Sequence, residues 1–174
     1  MDIKCINVGY LRTNCYILIK NNECLVIDPG DEEKKIIDTI GNNKVLGILV
    51  THHHEDHVGV LKEIKNKYGC PVIEYPVNEG NTIIGNFSFD IIYFPGHKDD
   101  LIAFYFKEYK AMFVGDFIFR DSIGRMDLPG GDYNSMFNSI NKLLKYKEDI
   151  KIYPGHGEFT DLDYERKNLI RYFN

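Results

Sequence analysis

The stretch "LVTHHHEDHVGV", residues 49–60, holds four of the chain's six histidines, with two acids beside them. It follows the apolar run "KVLGILV" (44–50), which reads as a short strand buried on both faces. Neutral imidazole and carboxylate are the ligand set for zinc and related divalent cations. His52 and His54 are two positions apart, so in an extended loop their side chains point the same way. His53 lies between them and is expected to face elsewhere and not to ligate. Asp56 and His57 come where the chain turns into the next helix, and so approach from another direction. Asp56 also suits a helix N-cap, a role compatible with ligation. The bland alternative for the cluster is a solvated polar loop.

The remaining two histidines repeat the placement. His97 in "IIYFPGHKDD" (91–100) and His156 in "KIYPGHGEF" (151–159) each stand just beyond a strand-like run, and "AMFVGD" (111–116) ends on Asp116 in the same way. Loops leaving rigid strand ends are where sites are commonly assembled. His97, Asp116 and His156 are too far apart in sequence for local coincidence, so the fold must bring them together. The case rests on the set, since a single histidine after a strand is more often a structural hydrogen-bonding residue.

Working outward, the first 28 residues read as three strands, "DIKCINVG", "NCYILIK" and "ECLVID", with Asn21–Asn22 as a hairpin turn. Asp31 reads as the N-cap of a helix running to about Ile40 and stopped by Gly41. Val60, Leu61, Ile64 and Tyr68 recur at helical spacing until Gly69 and Pro71. "PVIEY" and "FSFDIIYF" read as strands, and "LIAFYF" and "AMFVGD" as a hairpin across "KEYK". Tyr133, Met136, Phe137, Ile140, Leu143 and Leu144 form a helical stripe that predicts core packing. A strand "IKIYPG" and a helix from about Asp161 follow. Strands and helices mixed in this order suit sheets covered by helices.

A chain of 174 residues predicts one domain, 1–174, able to bury a core without disulfide staples. The net charge of −5, with no basic block, argues against a nucleic-acid partner. No run approaches a membrane span. Cys5, Cys15, Cys24 and Cys70 lack C-x-x-C spacing, and the first three sit among strand residues as small apolar side chains. The opening "MDIKCINVGY" lacks a signal-peptide apolar region, which predicts a cytoplasmic protein with reduced thiols.

These residues resemble the metallo-β-lactamase fold superfamily. His52, His54, Asp56 and His57 meet its H-x-H-x-D-H pattern, and His97, Asp116, His156 and Asp28 in "IDPG" meet its later and earlier markers. Within it, "LRTNCYIL" (11–18), "GDFIFRDSIGRMDLPGGD" (115–132) and "YPGHGEFT" (153–160) are similar to small hydroxyacylglutathione hydrolase (glyoxalase II)-like proteins. One departure is "GHKDDL" (96–101), where that group has Thr-Pro-Gly-Ser after the histidine. Only 18 residues follow His156, so the C-terminal helical domain with which full-length glyoxalase II helps hold glutathione is expected to be missing.

The resemblance implies an α/β fold of four αβ/βα layers. It implies two divalent cations, zinc first with iron or manganese as alternatives. One would be held by His52, His54 and His97, the other by Asp56, His57 and His156, with Asp116 bridging. Asp28 would either orient a ligand or serve as a turn acid. The implied chemistry is hydrolysis of a small anionic thioester by a metal-bridging hydroxide, with Asp56 also catalytic through that hydroxide's proton. Arg120 and Arg125 follow Asp116 within reach of an anionic substrate, surface arginines being the commoner explanation.

The main rival is a persulfide dioxygenase. Such enzymes also carry a segment like "GRMD" (124–127) and use one iron at positions matching His52, His97 and Asp116. β-Lactamases generally lack the bridging Asp. Nucleases of the superfamily need binding elements for which this acidic chain has no room. Flavodiiron reductases place Glu where His54 stands. A non-catalytic metal-binding module is the remaining reading.

Overall fold

The central strands of this chain are rich in apolar residues because both of their faces are covered. The computed structural model describes residues 1–173. Strands β1 (Asp2–Val8), β2 (Thr13–Lys20) and β3 (Glu23–Ile27) form an antiparallel meander. Helix α1 (Glu33–Ile40) crosses to β4 (Lys44–Leu49), which pairs parallel with β3. Helices α2 (Glu55–Val58) and α3 (Leu61–Tyr68) lead to β5 (Val72–Ile73), parallel to β4. The first sheet therefore has the order β1-β2-β3-β4-β5.

The second sheet begins with the antiparallel run β6 (Gly80–Ile84), β7 (Phe87–Tyr93), β8 (Ile102–Phe106) and β9 (Ala111–Gly115). A separate small hairpin, β10 (Ile118–Phe119) with β11 (Ser122–Ile123), precedes helix α4 (Tyr133–Leu143). Strand β12 (Lys151–Pro154) then joins β9 in parallel, and β13 (Thr160–Asp161) and helix α5 (Leu162–Leu169) follow. The order is β13-β12-β9-β8-β7-β6.

Side-chain alternation distributes each strand between two cores. Tyr16, Leu18, Leu25 and Ile27 meet Phe87, Phe89, Phe104, Phe106 and Phe113 between the sheets. Cys15, Ile17, Cys24 and Val26 face the other way, against Ile36, Ile40 and Ile64 of α1 and α3. On the far side, Ala103, Tyr105, Met112 and Val114 pack on Met136, Ile140 and Leu143 of α4 and Leu162 and Leu169 of α5. Helices, sheet, sheet and helices make the four αβ/βα layers that the resemblance implied. No helix among the described residues is long and apolar enough to cross a membrane.

Several local readings change. Asp31 is not the N-cap of α1. Glu32 holds that position with a left-handed φ of 52° and no side-chain cap, while Asp31 Oδ1 accepts the Glu32 N–H at 2.6 Å. The segment after the histidines is two helices rather than one. Val60 N–H donates to Pro29 O at 3.1 Å, and a Cβ on Gly59 would lie 2.2 Å from Gly30 O, so the backbone of residues 29–30 pins the break. In α4, Met136, Ile140 and Leu143 are buried, whereas Tyr133 and Phe137 are exposed. "PVIEY" shrinks to two strand residues, and β6, polar in composition, was not expected. Cys15, Cys24 and Cys70 are buried free thiols, but Cys5 is exposed, on the sheet edge.

Phe104 is fully buried between the sheets, with its ring edge-on to Phe89 at 5.9 Å between centroids. Phe104→Ala should lower the unfolding free energy by about 3–5 kcal/mol, read from urea denaturation.

Candidate metal centre

Sheet direction brings the functional loops to one end of the molecule. β3 and β4 run parallel, as do β9 and β12, and two antiparallel steps from β9 give β7 the same direction. The chain therefore leaves these five strands on one side. Asp28 follows β3, residues 51–57 follow β4, His97 follows β7, Asp116 follows β9, and His156 follows β12.

All seven residues singled out in the sequence lie together there. His52, His54, His97 and Asp116 offer one atom each within 4.8 Å of one another, and Asp56, His57 and His156 form a second such group. His54 Nδ1 sits 3.0 Å from His52 Nε2 and 2.9 Å from His97 Nε2. The tautomers of the two partners follow from their outer nitrogens. His97 Nδ1 donates to Arg125 O at 2.8 Å. His52 Nδ1 donates to Thr51 Oγ1 at 3.1 Å, because the Thr51 hydroxyl proton is committed to Asp28 Oδ2 at 2.7 Å. Both Nε2 atoms thus present lone pairs to the same point, as nitrogens arranged for a shared cation do.

The second group is oriented from outside in the same manner. His57 Nδ1 donates to Asp28 Oδ2 at 2.9 Å, and Asp28 Oδ1 also accepts Thr51 N–H at 2.8 Å. Asp28, with a left-handed φ of 51°, is therefore both the turn acid and the group that orients His57. His156 Nδ1 donates to Leu11 O at 3.2 Å. Asp56 Oδ2 accepts the Thr13 hydroxyl at 2.7 Å and lies 3.2 Å from His156 Nε2 and 3.5 Å from His57 Nε2.

Asp116 stands between the groups. Its oxygens are 3.3 Å from His57 Nε2, 3.4 Å from His156 Nε2 and 3.6 Å from His97 Nε2. The His57 contact lacks hydrogen-bond geometry, so among the described residues buried His57 Nε2 and Asp116 Oδ1 have no hydrogen-bond partner. Leaving such atoms bare is costly, and they suit a cation held by the donors around them. Gly155 keeps the space open, since a Cβ there would fall 2.2 Å from Asp116 Oδ1 and 2.6 Å from His57 Cε1.

His53 points away from both groups. Its Nδ1 is 2.7 Å from Asp100 Oδ2 and its Nε2 is 3.0 Å from Glu74 Oε2. Asp100 also accepts the His53 N–H and pairs with Lys98 at 3.1 Å, so the loop carrying His97 is fastened to the loop carrying His52 and His54. Arg125 pairs with Asp127 on the surface and Arg120 with Glu158. Sequence reasoning assigned no role to Thr13, Asn14, Thr51 or Asp100. Asn14 brackets His156 by donating its side-chain N–H groups to Pro154 O and Gly157 O.

Without cations the site holds protons in their place. Burial opposes a charged His57, but contact with Asp116 and Asp28 raises its pKa to about 10. Burial likewise opposes a charged His156, and Asp116 and Asp56 raise it to about 9. Desolvation pushes the Asp56 carboxyl up, yet hydrogen bonding to His156, the charge of His57 and the Thr13 hydroxyl bring it down to about 2. Burial lowers His52 and His54, which are neutral and ready to ligate.

Cation binding near pH 7 should therefore release about two protons, from His57 and His156, and weaken on acidification. Calorimetric titration in buffers of different ionisation enthalpy measures the number. His53→Ala should retain the metal content of the parent protein, whereas His52→Ala should lose metal; equal loss in both would contradict the outward placement of His53.

Comparison with known proteins agrees with this geometry. The profile of the Metallo-beta-lactamase superfamily matches residues 8–85 and 78–156. Hydroxyacylglutathione hydrolase GloC of Haemophilus influenzae is 32% identical, with 97% of this chain and 96% of the relative aligned. The BLEG-1 B3 metallo-beta-lactamase superposes with a TM-score of 0.94 at 27% identity, covering 99% of this chain and 100% of that one. TTHA1623, solved in a di-iron-bound form, gives a TM-score of 0.87 at 30% identity over 95% of this chain and 98% of its own. The chain belongs to the metallo-beta-lactamase superfamily, among its metallo-hydrolases.

Proposed function

We propose that the chain is a binuclear metallohydrolase that cleaves a small thioester, in the manner suggested by its hydroxyacylglutathione hydrolase relatives. The observation that carries this reading is the position of Asp116, set between two donor groups with a buried oxygen that no hydrogen bond from the described residues satisfies. His52, His54 and His97 would hold one cation, Asp56, His57 and His156 the other, and Asp116 both. Zinc suits this nitrogen and oxygen set, and the di-iron form of TTHA1623 keeps iron as the alternative. Divalent cations bound there supply Lewis acidity, acidifying water and offsetting negative charge on a carbonyl oxygen.

The protein's own groups supply the rest. Asp28, Thr51, the Arg125 carbonyl and the Leu11 carbonyl fix four histidine tautomers before substrate arrives, so that no reorganisation is needed during reaction. Asp56, ionised at neutral pH and anchored by Thr13, orients the attacking water through its carboxylate. The balanced reaction adds water across the C–S bond: the acyl carbon gains OH, the sulfur leaves with the second proton, and a carboxylic acid and a thiol result.

Free-thiol release from S-lactoylglutathione and a panel of thioesters tests the reading. The same preparation is assayed for oxygen uptake with glutathione persulfide and for hydrolysis of a β-lactam, the amide suggested by BLEG-1. Thiol release alone supports thioester hydrolysis. Oxygen uptake with one iron per chain transfers the assignment to a dioxygenase, and β-lactam cleavage alone to a lactamase. Asp116→Ala should lower turnover roughly 10³-fold, the scale of losing a central electrostatic element.

A further inference from the structure

Two carboxylates hold the main chain of the loop that carries His52 and His54. Asp28, at the end of β3, accepts the Thr51 N–H at 2.8 Å. Asp100 accepts the His53 N–H at 3.2 Å. Asp100 belongs to neither donor group, but it follows His97 in the connection between β7 and β8. In that connection the Lys98 carbonyl accepts the N–H groups of Gly96, at 3.4 Å, and Leu101, at 3.3 Å, so one compact turn carries His97 and Asp100 together.

The bonds of Asp100 to the described residues fall on one oxygen. Oδ2 takes the His53 N–H, His53 Nδ1 at 2.7 Å and Lys98 Nζ at 3.1 Å. Oδ1 is buried and has no hydrogen-bond partner among the described residues. A carboxylate so placed, its side chain 13% exposed and one oxygen bare, is unfavourable for stability in itself. What it supplies is position. Lys98 and His53 fix Oδ2 from two sides, and Glu74 Oε2 lies 3.0 Å from His53 Nε2, so the His53 ring bridges Asp100 to the residue that follows β5. Three loops are thereby joined through residue 53, whose neighbours on both sides are donors.

The joint bears on the first donor group, His52, His54 and His97 with Asp116. His54 Nδ1 is 3.0 Å from His52 Nε2 and 2.9 Å from His97 Nε2, so the group is closed across the two loops that Asp100 ties. Metal–nitrogen distances tolerate only about 0.2 Å, so a small parting of these loops takes His97 out of reach of a cation held by His52 and His54. We propose that Asp100 is a positioning residue of this group: by holding the His53 main chain against the turn of His97, it sets the geometry and the affinity of the cation bound there. The proposal rests on reading the donors as a metal centre, and it concerns the first of the two cations alone.

Cobalt(II) binding to the full chain, followed by visible absorption and by chelator competition, tests it. Two backgrounds assign the effect to a group. His156→Ala removes a donor of the second group, and His97→Ala one of the first. In the His156→Ala background, Asp100→Ala should weaken cobalt binding roughly tenfold or more, the scale of losing a group that supports a ligand, and should shift the visible bands. In the His97→Ala background the same change should leave affinity within about threefold, since the two sites then share no intact partner. Asp100→Asn separates position from charge. Its amide nitrogen can occupy the place of the bare Oδ1 while its oxygen still accepts the His53 N–H, so binding in the His156→Ala background should be retained. His53→Ala keeps the main-chain N–H and should retain it too. Asp100→Ser, whose hydroxyl falls short of that N–H, replaces Asp100→Ala should the latter not fold. Equal weakening in both backgrounds means a general loss of structure, and weakening by Asp100→Asn as large as by Asp100→Ala means that charge acts. Either result, or unchanged binding in Asp100→Ala, overturns the assignment. A parent protein that binds a single equivalent of cobalt, with the Asp100 effect intact, overturns the binuclear reading instead.

Discussion

The carboxylate of Asp28 is the contact on which both donor groups depend. It is almost wholly buried, a placement that would be strongly unfavourable without hydrogen bonds. Three donors satisfy it, the N–H and hydroxyl of Thr51 and Nδ1 of His57. The consequence spreads from there. By accepting the His57 Nδ1–H hydrogen bond, Asp28 leaves Nε2 facing Asp116 in the second group. By accepting the Thr51 hydroxyl's hydrogen bond, it obliges that oxygen to accept from His52 and so orients the first group as well. One side chain at the end of β3 therefore orients ligands on the next strand's loop and on the helix beyond it. The left-handed backbone at Asp28 is part of the same device, since it turns the chain out of β3 while the Asp28 N–H still bonds Leu49 O.

That contact works only because the sheets are rigid and their ends coincide. Each strand at the centre is packed on both faces, which holds its end in place, and parallel pairing puts the ends of β3 and β4, and of β9 and β12, on the same side. The close approaches that remain are made by glycine. At Gly30 a Cβ would lie 1.7 Å from Asp56 O, and at Gly155 it would strike Asp116 Oδ1. The site is thus crowded by backbone, and its polar groups are placed by main-chain geometry as much as by side-chain choice.

Much of this was legible in the sequence, for definable reasons. The two-residue spacing of His52 and His54 and the placement of His97, Asp116 and His156 after apolar runs reflect strand periodicity, which sequence displays directly. The outward His53 follows from the same alternation. Contacts between distant loops left little trace. Nothing in "LRTNCYIL" announces that Thr13 reaches Asp56, 43 positions away, or that Asn14 brackets His156. Asp100 stood in a visible departure from the hydrolase-like pattern, yet its tie to His53 depends on the register of two loops. Asp31 failed as an N-cap because the chain first makes a left-handed turn at Glu32, and the two-helix break at Gly59 comes from the backbone of Pro29 and Gly30. Polar β6 and the short β10–β11 hairpin had too few apolar positions to signal a strand.

Within each donor group the side chains differ in how deeply they are buried. His52 and His97 are buried, bonded outward to Thr51 and to the Arg125 carbonyl, and their loops are tied by Asp100. His54, Asp56 and His156 are only partly buried. His156 leans on the carbonyl of Leu11, in a hairpin whose tip residue Tyr10 is 97% exposed. The buried donors have their tautomers set against the sheet, and the partly buried ones lie nearer solvent. The more accessible donors are therefore His54, Asp56 and His156, the last of them beside the Gly9–Arg12 turn.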